Sequence, residues 1–212
     1  MSNQRIAVLC PGPSLPRFWG EQKKLGWDAV VAVNRAGWIY DCDWLVYADR
    51  PIGDAIRSGD ADPPRVGYVT HPRTVLPSPA ARARMPLRQT KCRYGELLPR
   101  GEDVLTCCYT FPHALAIAWG LAADGEVHVY GFDCSSSRDV VLGDGHHGAD
   151  RWRSELPWVK HAWPARAQVH SDLPGSVRAW LGAPGEAREL WERVCAELEA
   201  REGKETLCVS QC

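Results

Sequence analysis

A chain of 212 residues with 45% hydrophobic and 24% charged residues has enough apolar material to bury a full core, and its length suits one domain. A formal net charge of -1 gives it no general attraction for nucleic acid or an anionic membrane, although a local basic patch is compatible with that sum. Nine cysteines, an odd number scattered without a C-x-x-C pair or metal-like spacing, point to a reducing compartment.

No basic-then-apolar signal opens the chain, and nothing approaches the roughly 18 apolar residues of a membrane span. A cytoplasmic protein without a membrane span is therefore expected. The first apolar run, Ile6 to Leu9, reads as a buried parallel strand. It ends in Cys10-Pro11-Gly12-Pro13-Ser14-Leu15, where two prolines and a glycine fix a loop before a helix from Leu15 to Lys24. Ser14 suits the cap of that helix, and Gly12 lets another group approach the backbone closely. Amides at such a helix start suit a phosphate. A plain strand-to-helix turn is the other reading, because the loop is neither the dinucleotide fingerprint nor a P-loop.

A second strand, Asp28 to Asn34, finishes on Asn34-Arg35-Ala36-Gly37, and a third, Trp44 to Ala48, finishes on Asp49-Arg50-Pro51. Ligands of open parallel sheets bind beyond the carboxyl ends of the strands. Asn34 and Asp49 would then stand beside the Gly12 loop if the three strands are neighbours. An Asx-turn for Asn34 and a cap for Asp49, before a short helix Pro51 to Arg57, are the structural alternatives.

Residues 58–101 form the least regular part, with a fourth strand at Val66 to Val69 and then a Pro- and Arg-rich stretch to Arg100. Such a length of irregular chain reads as a lid-like insertion. From Arg65 to Arg100 the chain holds Arg65, Arg73, Arg82, Arg84, Arg88, Lys91, Arg93 and Arg100 against Glu96 alone among acids, which suits either a solvated loop or a polyanion-binding face. Regularity returns with Val104-Leu105-Thr106, the turn at Cys107, a helix from Pro112 to Ala122 that is apolar on every side and so buried, and a strand from Glu126 to Tyr130 closing on Gly131-Phe132-Asp133. Strand and helix alternate through most of residues 5–133. The expectation is an α/β, Rossmann-like, mostly parallel sheet with right-handed crossovers, helices on both faces and one long irregular Arg/Pro-rich insertion.

His146 and His147 lie among glycines past that strand, where one of them could act as a neutral base; an exposed His-His pair on a loop is the alternative. Zinc is disfavoured there, since no Cys or His sits at a chelating interval. Arg151 and Arg153, on a helix with Glu155, could meet a phosphate leaving group or pair with Asp150 and Glu155 on the surface. Ala167 to His170 reads as a last short strand, Pro174 to Pro184 as loop or a single turn, and Glu186 to Glu202 as a helix whose Ala187, Leu190, Trp191, Val194 and Leu198 cover the sheet. A single domain over residues 1–203 with a tail over 204–212 follows. Of ten tryptophans, Trp38 and Trp152 are the two expected near a ligand.

Cys10-Pro11-Gly12-Pro13-Ser14-Leu15, Asn34, Tyr47-Ala48-Asp49, the Thr106-Cys107 turn and Val127 to Asp133 together resemble the bacterial sialyltransferase-like glycosyltransferases and their uncharacterised viral and bacterial relatives. The resemblance spans residues 5–155 discontinuously. It implies a Rossmann-like, metal-independent enzyme with no resident cofactor that uses a nucleotide-activated sugar donor, CMP-linked donors included. Cys10, Gly12, Pro13 and Ser14 would then form the donor loop, with Asn34 and Asp49 lining the same cleft. Thr106 and Cys107 would contact the nucleotide by backbone, and Gly131 and Asp133 would border the base or sugar. His147, or else His146, is similar in position to the family's base, with Arg151 and the Gly12 to Ser14 amides stabilising the departing phosphate. Cys10, Pro11 and Cys107, and Ser135-Ser136-Ser137 in place of the family's tyrosines, depart from its pattern.

The expected reaction is inverting, metal-independent transfer of a sugar to an acceptor hydroxyl, the acceptor being a glycan or a modified nucleic acid; oligomerisation is left open. Two alternatives stay beside it. One is a transferase that glycosylates or otherwise modifies hydroxymethylated bases in DNA through the Arg73 to Arg100 region, and the other is a nucleotide-binding protein without turnover. A pyrophosphokinase-like phosphotransferase sharing the G-P-S loop is a third, weaker one.

Overall fold

The computed structural model describes residues 4–47, 49–59, 67–70, 87–89, 109–134, 148–164 and 166–209. The elements in chain order are β1 (Arg5–Leu9), α1 (Arg17–Leu25), β2 (Ala29–Val33), a 3-10 turn (Asn34–Trp38), β3 (Trp44–Tyr47), α2 (Arg50–Ser58), β4 (Gly67–Thr70) and β5 (Leu87–Gln89). They continue with α3 (Thr110–Ala122), β6 (Glu126–Tyr130), α4 (Ala149–His161), β7 (Ala167–Val169), α5 (Gly175–Gly182) and α6 (Arg188–Val209).

The strands form one sheet in the order β5-β4-β3-β2-β1-β6-β7, and every pairing is parallel. The chain walks outward from β1 to β5 and then returns to place β6 on the other side of β1. That reversal makes the gap between β1 and β6 the topological switch point, the usual ligand position in such sheets. Register keeps the carboxyl ends level: Leu9 pairs with both Ala32 and Tyr130, and Val33 with Val46.

The central strands are mostly apolar because both faces are covered, with Arg5 and Glu126 at strand starts and His128 within β6 as the exceptions. Ile6, Val8, Val31, Val33, Val127 and Val129 face a core made with α3, α4, α5 and α6. Ala7, Leu9, Val30, Ala32, Leu45 and Tyr130 face the other, made with α1, the 3-10 turn and α2. The expected α/β architecture is thus the one found. α3 is buried on nearly all sides, from Thr110 through Ala118, with Trp119 at its exposed edge.

Three expectations change. Beside the expected fourth strand, found as β4, the 58–101 segment contributes a further strand, β5, to the sheet; β5 is three residues including Arg88 and Gln89, too short and polar for an apolar run to betray it. Most of the rest of that segment, its arginines other than Arg88 included, and Val104 to Thr106 lie outside the described residues. Residues 175–182, expected as loop or a single turn, form α5, with Val177, Trp180 and Leu181 buried at helical spacing behind the helix-starting Pro174. α6 runs on to Val209, so the boundary drawn at residue 203 falls inside a helix. Among the described residues no helix is long and apolar enough to cross a membrane.

Candidate functional site

The loop after β1 and the loop after β6 are zipped together by backbone. The Cys10 N–H donates to the Tyr130 carbonyl at 2.9 Å, and the Gly12 N–H to the Gly131 carbonyl at 3.0 Å. A Cβ on Gly12 would stand 2.3 Å from that carbonyl oxygen and 2.6 Å from an Asp133 carboxylate oxygen. A Cβ on Gly131, which has φ +69°, would stand 2.0 Å from the Cys10 carbonyl. Both glycines are required because two chain segments touch here. The close approach expected of a ligand at Gly12 is therefore made by Gly131 and Asp133.

Ser14 is a second correction. The helix begins at Arg17 with Pro16 in the cap position, and no side chain caps it. The Ser14 N–H instead donates to Asp133 Oδ2 at 2.8 Å, and its hydroxyl donates to Oδ1. The Asp172 N–H donates to the same Oδ1 at 2.7 Å. Asp133, buried at 5% exposure, is the hub that joins the ends of β1, β6 and β7. A carboxylate removed from water needs donors, and these are the donors within reach. Pro13 has no N–H, so the Gly12 to Ser14 amides expected to hold a phosphate are all committed inside the chain.

Asn34 and Asp49 do come together. Asn34 ends β2 with φ +49°, a left-handed conformation that asparagine tolerates better than most residues. Its Nδ2 donates to Asp49 Oδ2 at 2.9 Å, while its Oδ1 is buried with no hydrogen-bond partner. Asp49 occupies the cap position of α2 but makes no side-chain cap bond, so the capping alternative is not the one adopted.

α4 brings a carboxyl group to the same edge. Glu155 is 5% exposed, with Arg151 Nε 3.4 Å from its Oε2. Burial pushes its carboxyl up to about 7; Arg151 opposes that shift and the Asp49 carboxylate adds to it. Its charge in turn raises the buried thiols of Cys10 and Cys134, although burial is the larger cause for both. Those shared fields place Glu155 among the ends of β1, β3 and β6. Arg151 keeps 41% of its side chain exposed and lies over the Tyr109 ring at 4.3 Å. Arg153, by contrast, pairs with Asp150, as its surface alternative had it, and with Glu199 of α6, which that alternative did not name.

Glu155 was not expected to act. Its i,i+4 spacing to Arg151 reads in sequence as a surface pair, and only the packing of α4 against the sheet turns it into a buried carboxyl. Trp38 packs on the α1 and α2 face and Trp152 against Phe132 on the other, so the two do not share a pocket. Thr106, Cys107, His146 and His147 lie outside the described residues. A cavity of about 830 Å³ lies toward the amino ends of the strands, lined among others by Trp163, Trp180 and Trp191. The ammonium of Lys160 there is held by the Trp180 and Ala183 carbonyls.

No family model, curated protein or solved structure matches the chain. What fold and site define is a class: a Rossmann-like α/β protein with an ionisable cluster at the carboxyl edge of its sheet.

Proposed function

We propose that the chain is a glycosyltransferase that binds a nucleotide-activated sugar across the carboxyl edge of the sheet and passes the sugar to an acceptor hydroxyl. The observation that supports it is the meeting, near the switch point, of an exposed cation, Arg151, with a buried carboxyl, Glu155, close to the Asn34–Asp49 pair. Such a perturbed carboxyl in a sheet crevice is a mark of function.

Arg151 takes over the phosphate-binding share first given to the loop amides, since its guanidinium can meet two phosphate oxygens at once. Asn34 Oδ1, buried without a partner, offers an acceptor to a ribose or sugar hydroxyl. In the transfer step the acceptor oxygen attacks the anomeric carbon opposite the phosphate. The bond from that carbon to the phosphate oxygen breaks, and the nucleotide leaves with the electron pair. The acceptor proton passes to a base, His147 or His146 in this reading, while Glu155, poised near neutrality, can take up or return a proton at the same edge.

A nucleotide-binding protein without turnover is the second reading, favoured by the committed amides of Cys10, Gly12 and Ser14. A thermal-shift screen of nucleoside mono-, di- and triphosphates and of CMP-, UDP- and GDP-sugars, followed by mass spectrometry of the products, separates the two. Ligand at a hundredfold over Kd should raise Tm by about 5 °C or more, and Arg151→Ala should abolish the shift. A transferred sugar supports the enzyme, and nucleotide binding without product supports the binding protein. The absence of any nucleotide-dependent shift removes both.

A further inference from the structure

A chain of titratable side chains runs across the opposite face of β6, away from Glu155. Glu126 Oε2 lies 3.3 Å from His128 Nε2; His128 Nδ1 lies 3.0 Å from His170 Nε2; and His170 Nδ1 lies 3.1 Å from Glu21 Oε2. The Tyr130 hydroxyl donates to the same Glu21 oxygen at 2.6 Å. The three contacts along the two rings each need one hydrogen. Two neutral imidazoles supply two, and two imidazolium ions supply four, which would set N–H against N–H between the rings. Only a pair carrying a single positive charge satisfies the row.

Imidazole is ordinarily a stronger base than a carboxylate by about two pH units, which puts the extra proton on the rings. Between them, His128 is the deeper at 3% side-chain exposure against 21% for His170, and burial lowers its affinity for a proton. His170 has its Nδ1 against Glu21 and stacks on the Tyr130 ring at 4.5 Å. The other groups around the pair are Arg5 of β1, whose charge opposes protonation of His128, and the Trp27 ring at its edge. From α1, Arg17 bonds the His170 carbonyl and pairs with Asp172; from α5, Arg178 bonds the Val169 and Ser171 carbonyls.

Position gives this charge a consequence. The two residues after His170 hold the β6 loop: the Phe132 N–H donates to the Ser171 hydroxyl at 2.9 Å, and the Asp172 N–H donates to Asp133, which in turn holds Ser14.

We propose that His170 carries one proton bonded toward His128, which stays neutral with its hydrogen on Nε2, and that this charged form is the state in which the 170–172 segment clamps the Gly12–Ser14 loop onto β6. The device is a pH-sensitive latch, and it does not depend on the proposed transfer reaction. Loss of the proton leaves one of the three contacts without a hydrogen and loosens the segment.

Nitrogen NMR of the imidazole rings in the full chain reads tautomer and charge directly. At about pH 5.5 both His170 nitrogens and only Nε2 of His128 should be protonated, and a charged His128 or a neutral pair there overturns the proposal. Amide exchange at Ser14 and Asp172, relative to Val8 in β1, should slow by roughly three- to tenfold between about pH 8 and about pH 5.5, the worth of one hydrogen bond. His170→Gln should keep the faster rate at both, while His161→Ala, an exposed histidine of α4, should behave as wild type. Exchange that ignores pH, or a pH effect that survives in His170→Gln, overturns the latch. Should His170→Gln fail to fold, Glu21→Gln serves: the imidazole titration must move to lower pH, and an unmoved titration counts against the proposal.

Discussion

Gly12 and Glu155 show how one residue's meaning depends on what reaches it. A methyl group at Gly12 would press into the Gly131 carbonyl, which belongs to backbone and cannot rotate away. Gly12→Ala should therefore destabilise by about 2 kcal/mol or more, as overpacking does, with the loss read from urea unfolding midpoints. Glu155 has a folded-state carboxyl raised from 4.5 to about 7. Below the lower value both folded and unfolded chains hold the proton and nothing is lost. As pH rises through the upper value the folded chain must ionise a buried group, and stability falls by about 3 kcal/mol across that window. Glu155→Gln should flatten this fall, making the variant the more stable protein at about pH 8 and not at about pH 4. Parallel stability curves for the two proteins would mean that the carboxyl does not titrate there.

Among the elements, the central strands were legible because burial on both faces favours an unbroken apolar run, which β2 and β3 show throughout and β1 from Ile6 on, while β6 alternates Val127, Val129 and Tyr130 with Glu126 and His128. β5 was not, since three residues, two of them polar, make no apolar run. α5 was hidden behind Pro174 and the glycines at 175 and 182, although Val177, Trp180 and Leu181 carry helical spacing. α4 matters most for the site, because Leu156 and Val159 seat it on the core and so fix where Arg151 and Glu155 point. Leu156→Ala, at a fully buried position, should cost about 2–5 kcal/mol. The variant should also weaken whatever nucleotide shifts the Tm of the wild type, a coupling that Leu198→Ala on α6, equally costly in stability, should show less strongly.

For the whole molecule, the zipper between the β1 and β6 loops joins the two halves of the sheet at the switch point. The two amides bonded directly across it should exchange with the slowest core amides: Cys10 and Gly12 should match β1 itself in protection, as members of one cooperative unit. Loop-like exchange at these two would mean that the crevice opens on its own. Composition and apolar runs alone determined the α/β class, the mostly parallel sheet and the buried α3, because strand and helix periodicity are local consequences of sequence; the nearness of Asn34 to Asp49 followed only once β2 and β3 were neighbours. Only the tertiary structure decided that Gly12 and Ser14 face Asp133 and Gly131, that Glu155 is buried, and that His128 and His170 share a row between two carboxylates. Those partners lie 119 residues from Ser14 and 42 residues apart in the histidine pair. Hydrogen-bond and burial partners so distant along the chain are chosen by packing, which no local pattern records.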